Sequence, residues 1–231
     1  MKPFFETELG KLYCGNALDI LPCLPKVNLI LTDPPYDTYV KYDSYIDEGE
    51  NWYLLMEVLI PLMLDNADMI IFPATKVKKL QWFYNNFPPD WIISWYKGAG
   101  SYVIPIGFND WEPILVYGKT RNNLGLHDYF YLPGAHKAAR WHPCPKPIAW
   151  SRWFLERILT RDEVVLDPLA GSGTTPAAAE ELGIRWLAIE LSKNYCYRIV
   201  DRLKKIRRKP SLKKFRKDKT NEKNFTRLPA S

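Results

Sequence analysis

Short apolar runs alternate along this chain with stretches of helical periodicity, and this alternation limits the folds open to it. Val27–Thr32, Met69–Phe72 and Glu163–Leu166 have the length and composition of buried strands. Trp52–Leu64 repeats apolar residues at three- and four-residue spacing, as an amphipathic helix does. Strands that alternate with helices predict an α/β fold with an open, mostly parallel sheet and helices on both faces.

The same patterns predict the other elements. Further strands are expected at Trp91–Tyr96, Glu112–Tyr117 and Arg185–Ile189. Further helices are expected at Lys76–Phe87, Ile148–Leu159 and Thr174–Leu182, with a last one from the N-cap Ser192 towards Arg207. Residues 97–110 and 119–145 lack sustained periodicity and are predicted to be loops.

The composition is that of a soluble globular protein. Apolar residues make up 47% of the chain and charged residues 25%. No apolar stretch approaches the ~20 residues of a membrane span, and Glu6 and Glu8 interrupt the start before a signal-peptide core could develop. The four cysteines form no CxxC pair, so neither a zinc site nor a disulfide framework is expected. These features predict a cytoplasmic protein with no membrane partner and no metal.

The net charge of +6 is unevenly distributed. From Lys204 onward twelve Lys and Arg residues face two acids, so this end carries +10 and the preceding 203 residues carry −4. We expect a single domain over residues 1–205 and a basic, disordered tail over 206–231. Such a tail suits a polyanionic partner, and a merely solubilising end explains the charge equally well.

One strand-end motif is glycine-rich and follows the predicted strand that ends at Leu166. It reads Asp167-Pro168-Leu169-Ala170-Gly171-Ser172-Gly173-Thr174-Thr175. The glycines allow a tight turn and close approach of the backbone to a ligand. Glu190 ends the next strand, where a carboxylate can accept hydrogen bonds from both ribose hydroxyls of a nucleoside cofactor. The motif is neither a P-loop nor a dinucleotide fingerprint, and by itself it could be a turn without function.

A second motif, Asp33-Pro34-Pro35-Tyr36, follows the strand at Val27–Thr32. Two prolines keep the backbone extended and remove two N–H donors, so the carbonyls and the Asp33 carboxylate form a rigid set of acceptors. The exocyclic amino group of a nucleobase presents two N–H donors that fit such a set. Tyr36 adds a flat ring on which a base could stack. A proline turn capped by Asp33 is the alternative interpretation.

Together the two motifs resemble those of the S-adenosylmethionine-dependent amino-methyltransferases of DNA, in the circularly permuted β group that places the catalytic motif first. Further segments match in the family order: Gly15-Asn16-Ala17-Leu18, Trp111–Lys119, His142-Pro143-Cys144-Pro145-Lys146-Pro147, Trp186–Glu190 and Asn194-Tyr195-Cys196. The resemblance covers about residues 11–205. It implies a Rossmann-like sheet of seven strands, one of them antiparallel, with helices on both faces.

The resemblance implies roles for particular residues. Asp33, Pro34, Pro35 and Tyr36 would form the catalytic site, in which the target base lies flipped out of the duplex. The expected cofactor-binding residues are Asp167, Pro168, Gly171, Ser172, Gly173, Thr174, Glu190, Asn16 and Lys146. Asn16 stands where the family usually has an aspartate at the cofactor adenine, and its amide oxygen can still accept a hydrogen bond. Lys146 is expected at the methionine end of the cofactor or on the solvated surface.

Contacts to nucleic acid are expected from a short target-recognition insertion at residues 119–141 and from a flap at Asp37–Glu50. The candidate residues are Lys41, Arg121, Lys137 and Arg140. The implied partner is double-stranded DNA, with a homodimer and a partner restriction endonuclease as further expectations. The insertion at residues 119–141 is short for a separate folded module, so we expect a short recognition sequence or one recognised with low specificity.

The target base is left open by the residues themselves. By family association the Asp-Pro-Pro-Tyr form favours N6 of adenine, with N4 of cytosine and adenine in RNA as alternatives. An inactive nucleic-acid-binding subunit is a remote alternative. Pro143-Cys144 resembles the nucleophile pair of cytosine C5-methyltransferases, but it lies inside the His-Pro segment and is predicted to be incidental.

Overall fold

The computed structural model describes residues 1–37, 43, 45, 49–74, 77–98, 103–105, 107–118, 127–133 and 141–207. The strands are β1 (Phe5–Glu6), β2 (Gly10–Cys14), β3 (Leu29–Leu31), β4 (Met69–Pro73), β5 (Trp91–Tyr96), β6 (Val103–Ile104), β7 (Gly107–Phe108), β8 (Trp111–Gly118), β9 (Tyr129–Tyr131), β10 (Val164–Asp167) and β11 (Arg185–Glu190). The helices are α1 (Ala17–Ile20), α2 (Glu50–Asn66), α3 (Val77–Asn86), α4 (Ile148–Ile158), α5 (Thr174–Leu182) and α6 (Lys193–Arg207), with a 3₁₀ turn at Leu21–Cys23.

The main sheet has nine strands in the described residues, in the order β1-β2-β11-β10-β3-β4-β8-β5-β9. Strands β2, β11, β10, β3 and β4 are mutually parallel, and β8 runs antiparallel to both β4 and β5. The predicted α/β class is confirmed. The seven strands from β2 to β5, with β8 reversed, correspond to the expected sheet of seven, and the short strands β1 and β9 extend it at its two edges.

Three parts of this architecture differ from the sequence prediction. Strand β9 lies within residues 119–145, which were predicted to be loop, and it pairs in parallel with β5. Strands β6 and β7 form a separate hairpin within the predicted loop 97–110. Strand β2, which no prediction covered, pairs with β11 and completes the cofactor side of the sheet. Strands β6, β7 and β9 have only two or three residues, which is too few to show periodicity, and β2 begins with Gly10 and Lys11 instead of an apolar run.

Both faces of the sheet are covered, as predicted. One hydrophobic core joins the sheet to α4, α5 and α6, and the other joins it to α1, α2 and α3. Within β3, Leu29 and Leu31 belong to the first core and Ile30 to the second, and all three side chains are fully buried. A strand packed on both faces needs apolar residues throughout, which explains the unbroken run in the sequence.

Helix bounds agree with the predictions to within a few residues. Helix α2 is longer than predicted and continues through Pro61. Helix α6 ends at Arg207, so Ile206 and Arg207 belong to a helix rather than to the predicted tail. Residues 208–231 lie outside the described residues. None of the helices in the described part of the chain is long and apolar enough to cross a lipid bilayer.

Candidate active site

The two sequence motifs meet at the carboxyl edge of the sheet. Strands β2, β11, β10 and β3 are neighbours there, and Asn16, Glu190, Asp167 and Asp33 lie at or just after their respective ends. These four side chains line one cavity of about 420 Å³. That volume falls within the ~300–1,000 Å³ range of small-molecule and cofactor sites.

Most of the predicted site residues line this cavity: Asp33, Pro35, Asn16, Lys146, Asp167, Pro168, Gly171, Ser172, Thr174 and Glu190. Pro34, Tyr36 and Gly173 adjoin it without forming its wall. The four predicted nucleic-acid contacts, Lys41, Arg121, Lys137 and Arg140, lie outside the described residues.

The glycine-rich turn needs glycine for steric reasons at two positions. Gly171 has a φ of 50°, and a Cβ there would lie 3.0 Å from Nε2 of His142. Gly173 has a φ of 71° and forms the N-cap of α5, and a Cβ there would lie 2.9 Å from the Ile199 side chain. Both backbone conformations are strained for other residues. The turn therefore brings its backbone and the start of α5 to the cavity wall without intervening side chains.

Asp167 connects the cofactor motif to the strand that carries the catalytic motif. Its Oδ1 accepts hydrogen bonds from the Thr32 hydroxyl at 2.8 Å and from the Leu169 N–H at 3.2 Å. Burial raises the pKa of Asp167 to about 7, although these hydrogen bonds act in the opposite direction. Because Thr32 directly precedes Asp33, the carboxylate of Asp167 couples the positions of the two strand ends.

Glu190 is held by backbone donors on both oxygens. Oε2 accepts from the Gly171 N–H at 2.7 Å, and Oε1 accepts from the Ser192 N–H at 2.8 Å. Burial raises its pKa to about 7, and the backbone hydrogen bonds partly oppose this. A carboxylate offers about four lone-pair sites, so acceptor capacity remains on the side that faces the cavity.

Asn16 is the N-cap of α1. Its Oδ1 accepts a hydrogen bond from the Leu18 N–H at 3.0 Å, and the residue is exposed at the cavity wall. This bond uses one lone pair of the amide oxygen. Asparagine and aspartate cap helices about equally well, so the local fold does not depend on the carboxylate that the family usually has here.

Lys146 joins the catalytic and cofactor motifs. Its Nζ lies 3.0 Å from Oδ1 of Asp33 and also donates a hydrogen bond to the Tyr36 hydroxyl. Its carbonyl oxygen accepts from the Thr174 hydroxyl at 3.0 Å. The side chain therefore lies with the Asp-Pro-Pro-Tyr motif, while its backbone contacts the glycine-rich turn. It is 10% exposed, which excludes the predicted alternative of a solvated surface lysine, and its contact with the methionine end of the cofactor stays a prediction.

Asp33 shares a small polar network with Lys146 and Tyr36. The Tyr36 hydroxyl donates to Oδ1 of Asp33, and Nζ of Lys146 lies 4.5 Å from the centre of the Tyr36 ring. Burial raises the pKa of Asp33 to about 6, and the Lys146 ammonium keeps it from rising further. Burial alone would lower the pKa of Lys146, but Asp33 and Glu112 outweigh it and hold that pKa above its usual value.

The proline turn is fixed from the opposite side by helix α2. Trp52 is 2% exposed, and its indole N–H donates to the Pro35 carbonyl at 2.6 Å. The Trp52 ring also lies 3.6 Å below Nζ of Lys79, which pairs with Asp37 at 3.2 Å. Asp37 in turn accepts from the Gly49 N–H at 2.7 Å, so both ends of the predicted flap are tied together.

Only part of the predicted flap is described. Asp43 accepts hydrogen bonds from the Ser192 hydroxyl and, at 3.1 Å, from the Asn194 amide, and Tyr45 lines the cavity. Residues 38–42, 44 and 46–48 lie outside the described residues. The described part therefore lies against the turn that follows Glu190.

No role was predicted for His142 or Thr32, and both contribute to the site. His142 lines the cavity, its Nδ1 accepts from the Cys144 N–H at 3.2 Å, and its ring centre lies 5.0 Å from that of Tyr195. Burial lowers the pKa of His142 to about 4, so the ring is neutral. The position of His142 in the His-Pro-x-x-Lys-Pro segment is the sequence signal from which a place in the site could have been predicted. Burial also raises the pKa of the Cys144 thiol, which supports the prediction that this cysteine is incidental.

Comparison with known proteins agrees with this arrangement. A family model described as DNA methylase matches residues 27–201. The Type II methyltransferase M.BamHI of Bacillus amyloliquefaciens is 26% identical over 88% of this chain, which spans 59% of that protein's length. The DNA adenine methyltransferase YhdJ of Escherichia coli K12 is 25% identical over 83% of this chain and 81% of its own.

A solved structure shares the fold. The PvuII DNA methyltransferase, described as cytosine-N4-specific, superposes with a TM-score of 0.68 at 16% identity, over 89% of this chain and 93% of its own. At this identity the likeness concerns the fold only. The names of these proteins include both an adenine and a cytosine enzyme, so they leave the base open.

Proposed function

The chain belongs to the N6/N4 DNA methylase family, and from this premise we propose that it transfers a methyl group from S-adenosylmethionine to N6 of a flipped adenine in DNA. The observation that carries the proposal is the meeting of Asp33, Asp167 and Glu190 in one cavity of about 420 Å³. Asp33 lies in the acceptor-rich proline turn, and Asp167 and Glu190 lie beside the glycine-rich turn. The cavity therefore offers separate acceptors to a target base and to a cofactor bound next to it.

The cofactor half of the cavity fits a nucleoside with a charged amino-acid end. Glu190 retains acceptor capacity for ribose hydroxyls, and Asn16 lies at the same wall for contact with a base edge. The N-terminus of α5 at Thr174 offers a favourable position for a carboxylate. S-adenosylmethionine, when bound, supplies an electrophilic methyl group on a positively charged sulfur.

Asp33 and the Pro34 carbonyl would accept the two hydrogens of the target amino group. An exocyclic amino nitrogen is a poor nucleophile because its lone pair is delocalised into the ring. Two acceptors favour the pyramidal nitrogen and direct its lone pair towards the methyl group, without a covalent enzyme intermediate. The Trp52 hydrogen bond to Pro35 holds the turn rigid for this purpose.

Lys146 and Tyr36 would keep Asp33 ionised and oriented. The ammonium at 3.0 Å opposes the rise in pKa that burial causes, and the Tyr36 hydroxyl fixes the rotation of the carboxylate. The predicted role of Tyr36 as a stacking platform stays a prediction. Its ring is 8% exposed, so a base could stack on it only after the ring moves. The methylated amino group then loses its proton, for which Asp33 is the nearest acceptor.

Adenine is preferred here because the Asp-Pro-Pro-Tyr form is associated with adenine in the family that this chain belongs to, and YhdJ bears the name of an adenine enzyme. The chemistry at N4 of cytosine is the same, and the fold shared with the PvuII enzyme keeps that base as the second candidate. Adenine in RNA is a weaker alternative, since the matching family model is described by DNA.

Double-stranded DNA is the proposed partner, because the matching family model is described as DNA methylase. An amino group inside a base pair cannot reach Asp33, so the target base must leave the stack. The basic segment at 208–231 would add sequence-independent, salt-sensitive affinity. A homodimer and a partner restriction endonuclease stay predictions.

The test is transfer of labelled methyl from S-adenosylmethionine to unmethylated genomic DNA and to total RNA, followed by digestion to nucleosides and mass spectrometry. N6-methyladenine from DNA is the expected product. If N4-methylcytosine were the only product, the mechanism would stand and the target base would be cytosine. Product from RNA alone would replace the polymer, and no product from either, with the cofactor bound, would refute the proposed activity.

A further inference from the structure

A row of exposed aromatic side chains crosses three strands at one end of the sheet. Tyr96 on β5 lies directly opposite Trp111 on β8 and directly opposite Tyr131 on β9. Their exposed fractions are 44%, 45% and 61%, and the ring centres of Tyr96 and Tyr131 lie 5.5 Å apart. We call Trp111, Tyr96 and Tyr131 the aromatic row.

The neighbouring row on the same strands behaves in the opposite way. Glu112, Trp95 and Phe130 also lie directly opposite one another, and each is less than 8% exposed. Successive side chains of a strand point to opposite faces, so the aromatic row faces the side of the sheet that carries α2 and α3. Within the part of the chain that the structure describes, no helix packs on β5 at this end of that face, which accounts for the exposure of the row. Contiguous exposed patches of this kind mark interaction sites.

The aromatic row lies beside the mouth of the active site. In the strand order, β5 is three strands away from β3, which corresponds to about 14 Å across the sheet. When the register of β3 and β4 is continued by two residues, Asp33 lies level with Pro73. Pro73 pairs with Ile114, and Ile114 pairs with Ile93 on β5. Tyr96 lies three residues further along, so the row extends about 10 Å beyond the level of Asp33.

We propose that the aromatic row is a contact surface for the DNA strand next to the flipped nucleotide, on which bases and deoxyriboses stack. The inference rests on the proposed function, because a duplex that delivers a base to Asp33 must lie above this edge of the sheet. The aromatic row adjoins the carboxyl edge of the sheet and extends beyond it, towards the expected position of the duplex.

The chemistry of the row suits nucleic acid. Tyrosine and tryptophan rings stack on any base, and their hydroxyl and indole N–H groups donate hydrogen bonds to phosphate oxygens. The chain that leaves the row after Tyr131 also carries Lys137 and Arg140, which can neutralise phosphates.

The experiment compares row variants with a matched control on the same strand. Tyr96→Ala, Tyr131→Ala and Trp111→Ala remove one ring each, and Trp91→Ala removes a ring that is 60% exposed at the opposite end of β5. Affinity for a fluorescent duplex is measured by anisotropy over a range of salt concentrations. S-adenosylmethionine binding, measured by calorimetry, checks that each variant is folded.

Each row variant should bind the duplex roughly tenfold more weakly. The salt slope should stay unchanged, because stacking releases no counterions. Trp91→Ala should bind as the wild type does, and all four variants should retain cofactor binding.

Wild-type DNA affinity in the row variants would overturn the proposal. So would an equal loss in Trp91→Ala, or a change of oligomeric state in place of DNA affinity, which would assign the row to a second copy of the chain. Methylation by the wild type separates the two proposals. If the wild type methylates DNA and the row variants keep its KM for DNA, the row proposal alone fails; if the wild type methylates no DNA, the proposed function fails.

Discussion

The carboxylates on the two sides of the cavity are held by different kinds of partner. Asp167 and Glu190 accept hydrogen bonds from neutral donors, which are backbone N–H groups and the Thr32 hydroxyl. Asp33 lies against the ammonium of Lys146 and the hydroxyl of Tyr36. Burial raises the pKa of all three acids, to about 7 for the first two and to about 6 for Asp33.

In the proposed mechanism, this difference separates the residues that bind the cofactor from the residue that contacts the reacting amino group. On the cofactor side, uncharged donors fix the geometry, both near in the chain, such as Leu169 for Asp167 and Ser192 for Glu190, and distant, such as Thr32 for Asp167. On the catalytic side, the ammonium of Lys146, which lies 110 positions beyond Tyr36 in the chain, opposes the rise in the pKa of Asp33. Loss of a hydrogen-bond acceptor should therefore damage the first side, and loss of a charge should change the pH dependence of the second.

The largest effect is expected from Asp33→Ala. Removal of the carboxylate takes away one of the two acceptors for the amino group, so methyl transfer should fall by at least about 10²–10³-fold. Cofactor affinity should largely survive, because Asp167 and Glu190 are untouched. Labelled-methyl transfer and calorimetry measure the two quantities, with the exposed Asp65→Ala as a matched control. Full activity in Asp33→Ala would refute the mechanism.

Glu190→Gln tests the cofactor side. Both oxygens of Glu190 accept a backbone N–H, so an amide would turn its NH₂ group against one of these donors. The unsatisfied donor lowers the stability of the protein, and the amide keeps one acceptor oxygen in place of two, so an acceptor for the ribose hydroxyls is lost. A hydrogen bond to a charged group contributes about 1.5–3 kcal/mol, so S-adenosylmethionine should bind roughly 10–100-fold more weakly. Calorimetry measures the loss, and the exposed Asp162→Asn is the control. Unchanged affinity would remove Glu190 from the cofactor site.

Lys146→Met should shift the pH profile of methyl transfer. The ionised form of Asp33 is the acceptor, so wild-type activity should fall as the pH drops through its pKa of about 6. Lys146 lowers that pKa; without it the pKa is higher, and the acid limb moves to higher pH. The difference from the wild type should be largest well below pH 6, where each unit by which the pKa rises lowers the ionised fraction, and so the rate, about tenfold, and it should be small at pH 8.

The control for this experiment is Lys146→Arg, which keeps the positive charge and should leave the acid limb nearly in place. Recovery of the Met variant above pH 8.5 would distinguish electrostatic positioning from misfolding. An acid limb that stays at the wild-type pH in Lys146→Met would contradict the assignment of Lys146 to Asp33. An altered KM for S-adenosylmethionine with an unchanged pH profile would return Lys146 to the cofactor.

The smallest effect is expected from Asn16→Asp. Aspartate caps a helix as well as asparagine does, so the hydrogen bond to Leu18 should remain. A carboxylate at the start of α1 gains about 0.3–1 kcal/mol from the helix and offers a stronger acceptor, so cofactor affinity should rise about two- to fivefold. Weaker binding in calorimetry would show that the amide nitrogen of Asn16 makes the contact.

Much of the fold followed from local pattern. Apolar runs with no alternation could belong only to strands buried on both faces, and β3, β4 and β10 are such strands. Strand β9 has only three residues, and β2 begins with Gly10 and Lys11 instead of an apolar run; the place of each in the sheet depends on pairing with β5 and β11, which are distant in the chain. The ladder partners, rather than their own composition, make them strands.

The candidate site divides in the same way. The residues that turn at the strand ends can be recognised from local composition, because prolines at 34 and 35 and glycines at 171 and 173 restrict or free the backbone wherever they stand. Which charges meet there depends on the complete fold. The sequence left Lys146 at the methionine end of the cofactor or on the solvated surface, whereas the fold places its ammonium 3.0 Å from Asp33, and burial, which depends on every neighbour at once, raises the pKa of that carboxyl.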